Sequence, residues 1–351
     1  VPEFEKALNN LCKSKFSTVM SSATAALHIA CKALDLGPGD IMWTSPISFV
    51  ASANCALYCG AKVDFVDIDP LSNNMSIKAL EEKLIHAESL NALPKVVIPV
   101  HLAGLSADMA AISSLSKKYN FKIIEDASHA IGGTYNGEPI GNCIYSDICI
   151  FSFHPVKIIA AGEGGALLTN DPEIFNKANL YRSHGITKEP DQFKYNNPGE
   201  WYYEQHLLGF NYRMTDIQAA LGLSQLSRIA SFIEKRKKIV RRYHSKLEGL
   251  PICLPSKSYC DESSNHLFII RIKNDISKLT HKKIFSKLRQ KNIGVNLHYI
   301  PIYRQPFYID LMSIPPSDFP ESEKYYQEAI SLPIFFSLSN EELDYVCDVL
   351  A

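Results

Sequence analysis

No stretch of the chain approaches the roughly 18 consecutive apolar residues of a membrane-spanning helix, so the sequence predicts no bilayer span. Neither sign of charge dominates: 36 Lys and Arg face 37 Asp and Glu, a net charge of −1. That balance argues against nucleic acid or an anionic membrane as a partner held by long-range attraction. The nine cysteines are odd in number and contain no C-x-x-C pair. They are expected to be reduced, buried thiols of a cytoplasmic protein, with Cys55 and Cys59 on one helix face. No Cys/His cluster has ligand spacing, so no metal is expected. Repeats and low-complexity tracts are missing too. With 46% hydrophobic and 21% charged residues, the chain falls outside the disordered and fibrous classes. Its opening, Val1-Pro2-Glu3-Phe4, carries neither an initiator methionine nor a signal pattern and looks like the interior of a longer chain.

What is present is an alternation of β-rich apolar runs with helix-period segments, the signature of an α/β fold with a mostly parallel sheet. Helices are predicted at Ala25 to Leu34, Phe49 to Tyr58, Ile77 to Ile85 and Ala107 to Tyr119. Strands are predicted at Ile41 to Thr44, Lys62 to Val66, Lys95 to Val100, Phe121 to Ile124, Ile148 to Phe153 and Gly165 to Thr169. From Ile217 one long helical pattern runs to about Leu247 and carries Lys235-Arg236-Lys237-Lys238, which reads as a solvated face. Beyond it come a strand at Leu267 to Ile272, a helix at His281 to Gln290, a strand near Val295 and two C-terminal helices. The length suits two domains, a large one at 1–232 and a smaller α/β one at 233–351.

The chemistry concentrates in Phe151-Ser-Phe-His-Pro-Val-Lys157, where a strand delivers Ser152 and then a lysine into the Gly-rich turn at 162–165. Upstream, another strand ends in Asp126, and strand C-termini are where open α/β sheets place ligands. The small residues Ser21-Ser22-Ala23-Thr24 precede a helix, either as a plain N-cap or as an anion site at its N-terminus. A lysine, a carboxylate and a phosphate cup together meet the needs of pyridoxal phosphate: a Schiff-base amine, a partner for the pyridinium nitrogen and a phosphate site.

The motifs S-A-T-A-A-L-H, S-P-I-S-F-V-A-S-A-N, E-D-A-S-H-A, F-S-F-H-P-V-K, G-E-G-G-A and G-F-N-Y-R-M-T-D-I-Q-A-A-L-G span essentially the whole chain. On them the sequence resembles the DegT/DnrJ/EryC1/StrS sugar aminotransferases, fold type I pyridoxal 5'-phosphate enzymes. Trp201-Tyr-Tyr-Glu-Gln, Ser263-Ser-Asn-His-Leu and His298-Tyr-Ile-Pro-Ile-Tyr303 look most like the pseudaminic-acid branch of that family.

The resemblance implies Lys157 as the Schiff-base lysine, Asp126 at the ring nitrogen, and Ser152, Ala23 and Thr24 at the phosphate. It places Phe49 over the ring face and His129 beside the cofactor. Asn211 would reach the phosphate of the other subunit in a homodimer, whereas by propensity alone it is a loop residue or the N-cap of the next helix. Tyr299, Ile300, Pro301 and Ile302 match a substrate-contacting loop. The implied reaction moves the amino group of L-glutamate to C4 of a UDP-linked 4-keto-6-deoxy-N-acetylhexose. Other nucleotide keto sugars, aminated at C3 or C4, and a non-catalytic cofactor-binding regulator stand as alternatives. Related C3-dehydratases carry histidine in place of the lysine, so Lys157 argues against that chemistry. The family normally has a segment ahead of Phe4 that helps hold substrate, and its absence here leaves the implied site incomplete. Ala160-Ala161 stands where many relatives have two threonines.

Overall fold

A computed structural model describes residues 1–273 and 280–351. Its centre is a seven-stranded sheet: β1 (Phe16–Met20), β2 (Ile41–Thr44), β3 (Lys62–Phe65), β4 (Val96–Ile98), β5 (Lys122–Asp126), β6 (Ile148–Ser152) and β7 (Gly165–Thr169). The order is β1-β7-β6-β5-β4-β2-β3. Only β7 runs against its neighbours. The pairings of β2 with β3 and β4, of β4 with β5 and of β5 with β6 are parallel.

Every residue of β6 and β7 is buried, because helices cover both faces and leave no room for a polar alternation. Period-two geometry sorts the side chains. Ile148 and Ile150 join the core under helix Ala23–Ala33, while Cys149 and Phe151 point to the opposite core with Phe4 and Leu8.

A second, antiparallel sheet holds β8 (Ile252–Cys253), β9 (Phe268–Ile272) and β10 (Ala329–Leu332), in the order β8-β9-β10. Helix Ile229–Leu247 ties the two halves together. Ile229 and Phe232 belong to the core around Phe151, and Ile239, Val240, Tyr243 and Leu247 to the core of the small sheet.

The structure departs from the sequence reading in several places. The single helix expected from Ile217 to Leu247 is two, Asp216–Leu226 and Ile229–Leu247. At the break, Ser227 Oγ donates to the Ser224 carbonyl, the local back-bonding by which serine competes with a helix ladder. In the basic run, Arg236 is buried, not solvated. It donates to the carbonyls of Asn265, His266 and Ile334, so it pins the segments around those residues. No strand forms at Val295, where only an isolated bridge joins Asn296 to Ser331. Three helices, Pro306–Met312, Pro320–Glu328 and Asn340–Leu350, replace the expected two. Strands β1 and β10 and the helices Pro2–Cys12 and Pro172–Arg182 were not anticipated. All nine cysteines are free thiols and eight are buried. Among the described residues no helix is long and apolar enough to cross a membrane, and no cluster of three or more His, Cys, Asp or Glu could hold a metal.

Candidate active site

The C-terminal ends of β1, β5 and β6 open into one cavity of about 380 Å³. It gathers Ala23, Thr24, Phe49, Asp126, His129, Ser152, Lys157 and Tyr299, which lie up to 276 positions apart in sequence between Ala23 and Tyr299.

One end of the cavity is the N-terminus of helix Ala23–Ala33. Ser22 is its N-cap, accepting from the Ala25 amide at 3.1 Å. The amides of Ala23 and Thr24 have no acceptor within the helix and stay available to an anion, which the helix dipole also favours. The plain-cap and anion-site readings are thus compatible: Ser22 caps, and the next two residues face the cavity. Gly165 explains the Gly-rich turn. A Cβ there would lie 2.4 Å from the Ala23 nitrogen and 2.5 Å from the Ser22 carbonyl carbon, so only glycine lets the helix start settle on the sheet. Across the ladder, Ser152 pairs with Gly165, which brings its hydroxyl to the same end of the cavity.

Asp126 closes β5 and is buried. Its Oδ2 accepts from Ser52 Oγ at 2.5 Å, Ser52 shares a 2.7 Å bond with Ser48, and Oδ1 accepts from the Ser128 amide at 3.1 Å. Two donors, one of them braced by Ser48, therefore hold the carboxylate still. Lys157 follows β6 through a turn in which its amide donates to the His154 carbonyl at 2.9 Å. Burial pushes its ammonium down to about 8, against a smaller upward pull from Asp126.

The opposite wall carries Tyr299. Tyr299 OH and His129 Nε2 are 3.1 Å apart, and the Phe49 and Tyr299 rings lie 6.3 Å apart. His129 is buried against His266, ring centroids 4.5 Å apart, and neither Nδ1 has a partner. Burial, then Lys157 and His298, hold His129 well below the ordinary imidazole value, so it is neutral at pH 7.

Two sets of expected site residues lie elsewhere. Ile302 is fully buried in the core with Tyr303 and Tyr308, its amide bonded to the Pro46 carbonyl, and Pro301 is buried beside it. Ile300 is exposed, and of that loop only Tyr299 lines the cavity. Asn211 is exposed, lies outside the cavity of its own chain and bridges to Ser183. It caps nothing: the N-cap of Asp216–Leu226 is Thr215, in a capping box with Gln218. Ser48, Ser52, Asn296 and His298 were missed. The spacing of Ser48 and Ser52, four apart at a helix start, was the available signal for the first two.

The residues present fit the pyridoxal phosphate that the motifs imply. The helix cradle that Gly165 keeps free of a side chain, with Ser152 beside it, suits a phosphate. Asp126, locked by two donors, suits a protonated ring nitrogen, and a lysine with a lowered pKa suits attack on an aldehyde.

Comparison with known proteins agrees with this geometry. The family model described as the DegT/DnrJ/EryC1/StrS aminotransferase family matches residues 1–351. A Campylobacter jejuni protein named UDP-4-amino-4,6-dideoxy-N-acetyl-beta-L-altrosamine transaminase is 36% identical, over 100% of this chain and 88% of that one. The Bacillus subtilis spore coat polysaccharide biosynthesis protein SpsC is 34% identical, again over 100% and 88%. Among solved structures, Helicobacter pylori PseC, an aminotransferase involved in the biosynthesis of pseudoaminic acid, superposes with a TM-score of 0.89 at 32% identity. That match covers 99% of this chain and 89% of PseC. The chain belongs to the DegT/DnrJ/EryC1/StrS family of aminotransferases, enzymes that work with pyridoxal 5'-phosphate.

Proposed function

We propose that the protein moves the amino group of L-glutamate to C4 of a UDP-linked 4-keto-6-deoxy-N-acetylhexose, in the formation of a pseudaminic-acid-type surface sugar in the cytoplasm. The observation that carries the reading is the meeting of Lys157, Asp126 and the Ala23-Thr24 helix start in one cavity. The transaminase from Campylobacter jejuni and PseC support the choice of substrate.

When bound, pyridoxal phosphate supplies an electron sink next to the carbon that loses or gains the amino group. Ala23, Thr24 and Ser152 would hold its phosphate. Asp126 would keep the ring nitrogen protonated, its carboxylate held by the Ser52 hydroxyl and the Ser128 amide. Phe49 would cover one ring face. Lys157 is the proton carrier: with its pKa near 8, about a tenth is free amine at pH 7, far more than for an ordinary lysine, ready to take a proton from the substrate carbon and return it. The neutral His129 and the Tyr299 hydroxyl line the wall without adding charge that would repel the lysine's proton.

Asn211 would serve the phosphate of a second copy. Its segment is anchored at the cavity edge, where the Ser21 amide donates to the Tyr212 carbonyl at 2.8 Å and Met20 bridges to Arg213. A two-fold homodimer would then complete two sites at once. The reading is tested by adding L-glutamate to the cofactor-loaded protein. The visible absorbance should shift as 2-oxoglutarate forms, and the UDP keto sugar should reverse it. An unchanged spectrum overturns the proposal.

A further inference from the structure

His298 is absent from the chemistry argued so far, yet it lines the cavity on the wall facing Lys157 and Asp126. Its surroundings hold it in one pose. Nδ1 is 2.8 Å from Ser331 Oγ on β10, and its carbonyl accepts from Tyr325 OH at 2.5 Å. Its ring stands edge-on to Tyr299 at 5.0 Å and 90°. Both anchors are themselves buried, Ser331 at 4% exposure and Tyr325 at 0%. The neighbouring Asn296 is tied to the same strand by paired backbone bonds with Ser331. Among the described residues Nε2 has no partner. A ring fixed on one side with its other nitrogen left open toward a ligand cavity is a built recognition element, because its rotamer entropy is already spent before anything binds.

We propose that His298 reads the keto-sugar substrate, its Nε2 bonding a sugar hydroxyl, and takes no part in recognising the amino donor; this rests on the proposed function. Two chemical facts assign the ligand class. Burial and the nearby Lys157 push the imidazole down to about 4, so the ring is neutral throughout the working range and attracts no carboxylate. A hydroxyl both donates and accepts and therefore suits either neutral tautomer, whereas a carboxylate oxygen suits only the one with hydrogen on Nε2. Of the two substrates, only the UDP sugar offers hydroxyls, its charge lying on the diphosphate, whereas glutamate carries two carboxylates. Lys157 is the only lysine or arginine among the described residues lining the cavity, so His298 has no cationic side chain beside it on its own wall.

The experiment separates the half-reactions by rapid mixing, reading cofactor absorbance with L-glutamate and then with the UDP 4-keto sugar. His298→Phe keeps the ring and removes both nitrogens. It should slow the sugar half-reaction about 10- to 100-fold, the range for leaving a substrate hydroxyl unpaired, and leave the glutamate half-reaction within about twofold. His298→Gln, which can still offer an amide to the hydroxyl, should recover part of the loss. Ser331→Ala, which frees the ring without touching the cavity, should slow the sugar step about three- to tenfold. If the Phe variant does not fold, as judged by its melting temperature, the other two decide. Equal slowing of both half-reactions, or an unchanged sugar step, overturns the inference while leaving the proposed function standing. A wild-type protein inert to the sugar overturns both.

Discussion

Ser52 donates a 2.5 Å hydrogen bond to Asp126 Oδ2, linking the helix Ala51–Tyr58 to the end of β5. A buried carboxylate with this donor and the Ser128 amide has little freedom to rotate, so its free direction is set before any ligand arrives. Ser52→Ala is expected to lower kcat/KM about tenfold, the worth of one hydrogen bond to a charged group. Asp126→Asn keeps the shape and loses the charge. It should cost about 2–4 kcal/mol at the transition state, two to three decades in rate. Steady-state assays of the two variants check both figures, and wild-type turnover in Asp126→Asn would remove Asp126 from the chemistry.

Lys157 gives a pH prediction. Burial lowers its pKa to about 8 and Asp126 opposes the drop. In the cofactor-free protein, its labelling by an amine-reactive sulfonate should therefore rise through a midpoint near pH 8, some two units below an ordinary lysine. Asp126→Asn removes the opposing charge, so its midpoint should move to lower pH. The stability sign follows: between pH 8 and about 10.4 the unfolded chain holds a proton that the folded chain has released. This group's contribution to stability therefore rises with pH across that window. Borohydride reduction of the loaded protein should fix the cofactor on Lys157, and Lys157→Ala should abolish turnover.

Gly165 leaves no room for a side chain. Gly165→Ala would set a Cβ 2.4 Å from the Ala23 nitrogen, against backbone that cannot swing aside. The expected loss is about 1–3 kcal/mol of stability from overpacking, together with weaker binding of the cofactor phosphate as the helix start is displaced. Thermal melting and a cofactor titration measure the two effects separately.

Much of this was legible in the sequence, for identifiable reasons. Strands β4 and β6 announce themselves as short apolar runs because both their faces are covered, and Asp126, Ser152 and Lys157 stand out as polar residues at or just past the ends of strands. Strands β1 and β10 escaped although they are no shorter than β2 to β4; pairing with β7 and β9 makes them strands. The break at Ser227 is a choice between local hydrogen bonds that periodicity does not register. Arg236 looked solvated because its neighbours are charged, and only the fold brings three carbonyls to it. The resemblance puts Ile302 in a substrate-contacting loop, but the fold buries its side chain in the core.

Asn211 offers a prediction on assembly. Lys157→Ala and Asn211→Ala proteins, each impaired alone, are unfolded together and refolded as a random mixture. If Asn211 serves the partner's site, each heterodimer holds one intact site, and activity should recover to about a quarter of wild type. Recovery no greater than the mean of the two parents would place Asn211 in its own chain's chemistry or in none.

The central claim is the transfer of nitrogen from glutamate to the sugar's C4, and isotope tracing tests it most directly. The cofactor-loaded protein is incubated with 15N-labelled L-glutamate and a UDP-linked 4-keto-6-deoxy-N-acetylhexose, and the product is read by NMR. The account predicts 15N bonded to C4 of the sugar, with one 2-oxoglutarate formed per amine. Label at C3, or 2-oxoglutarate without labelled sugar, would contradict it.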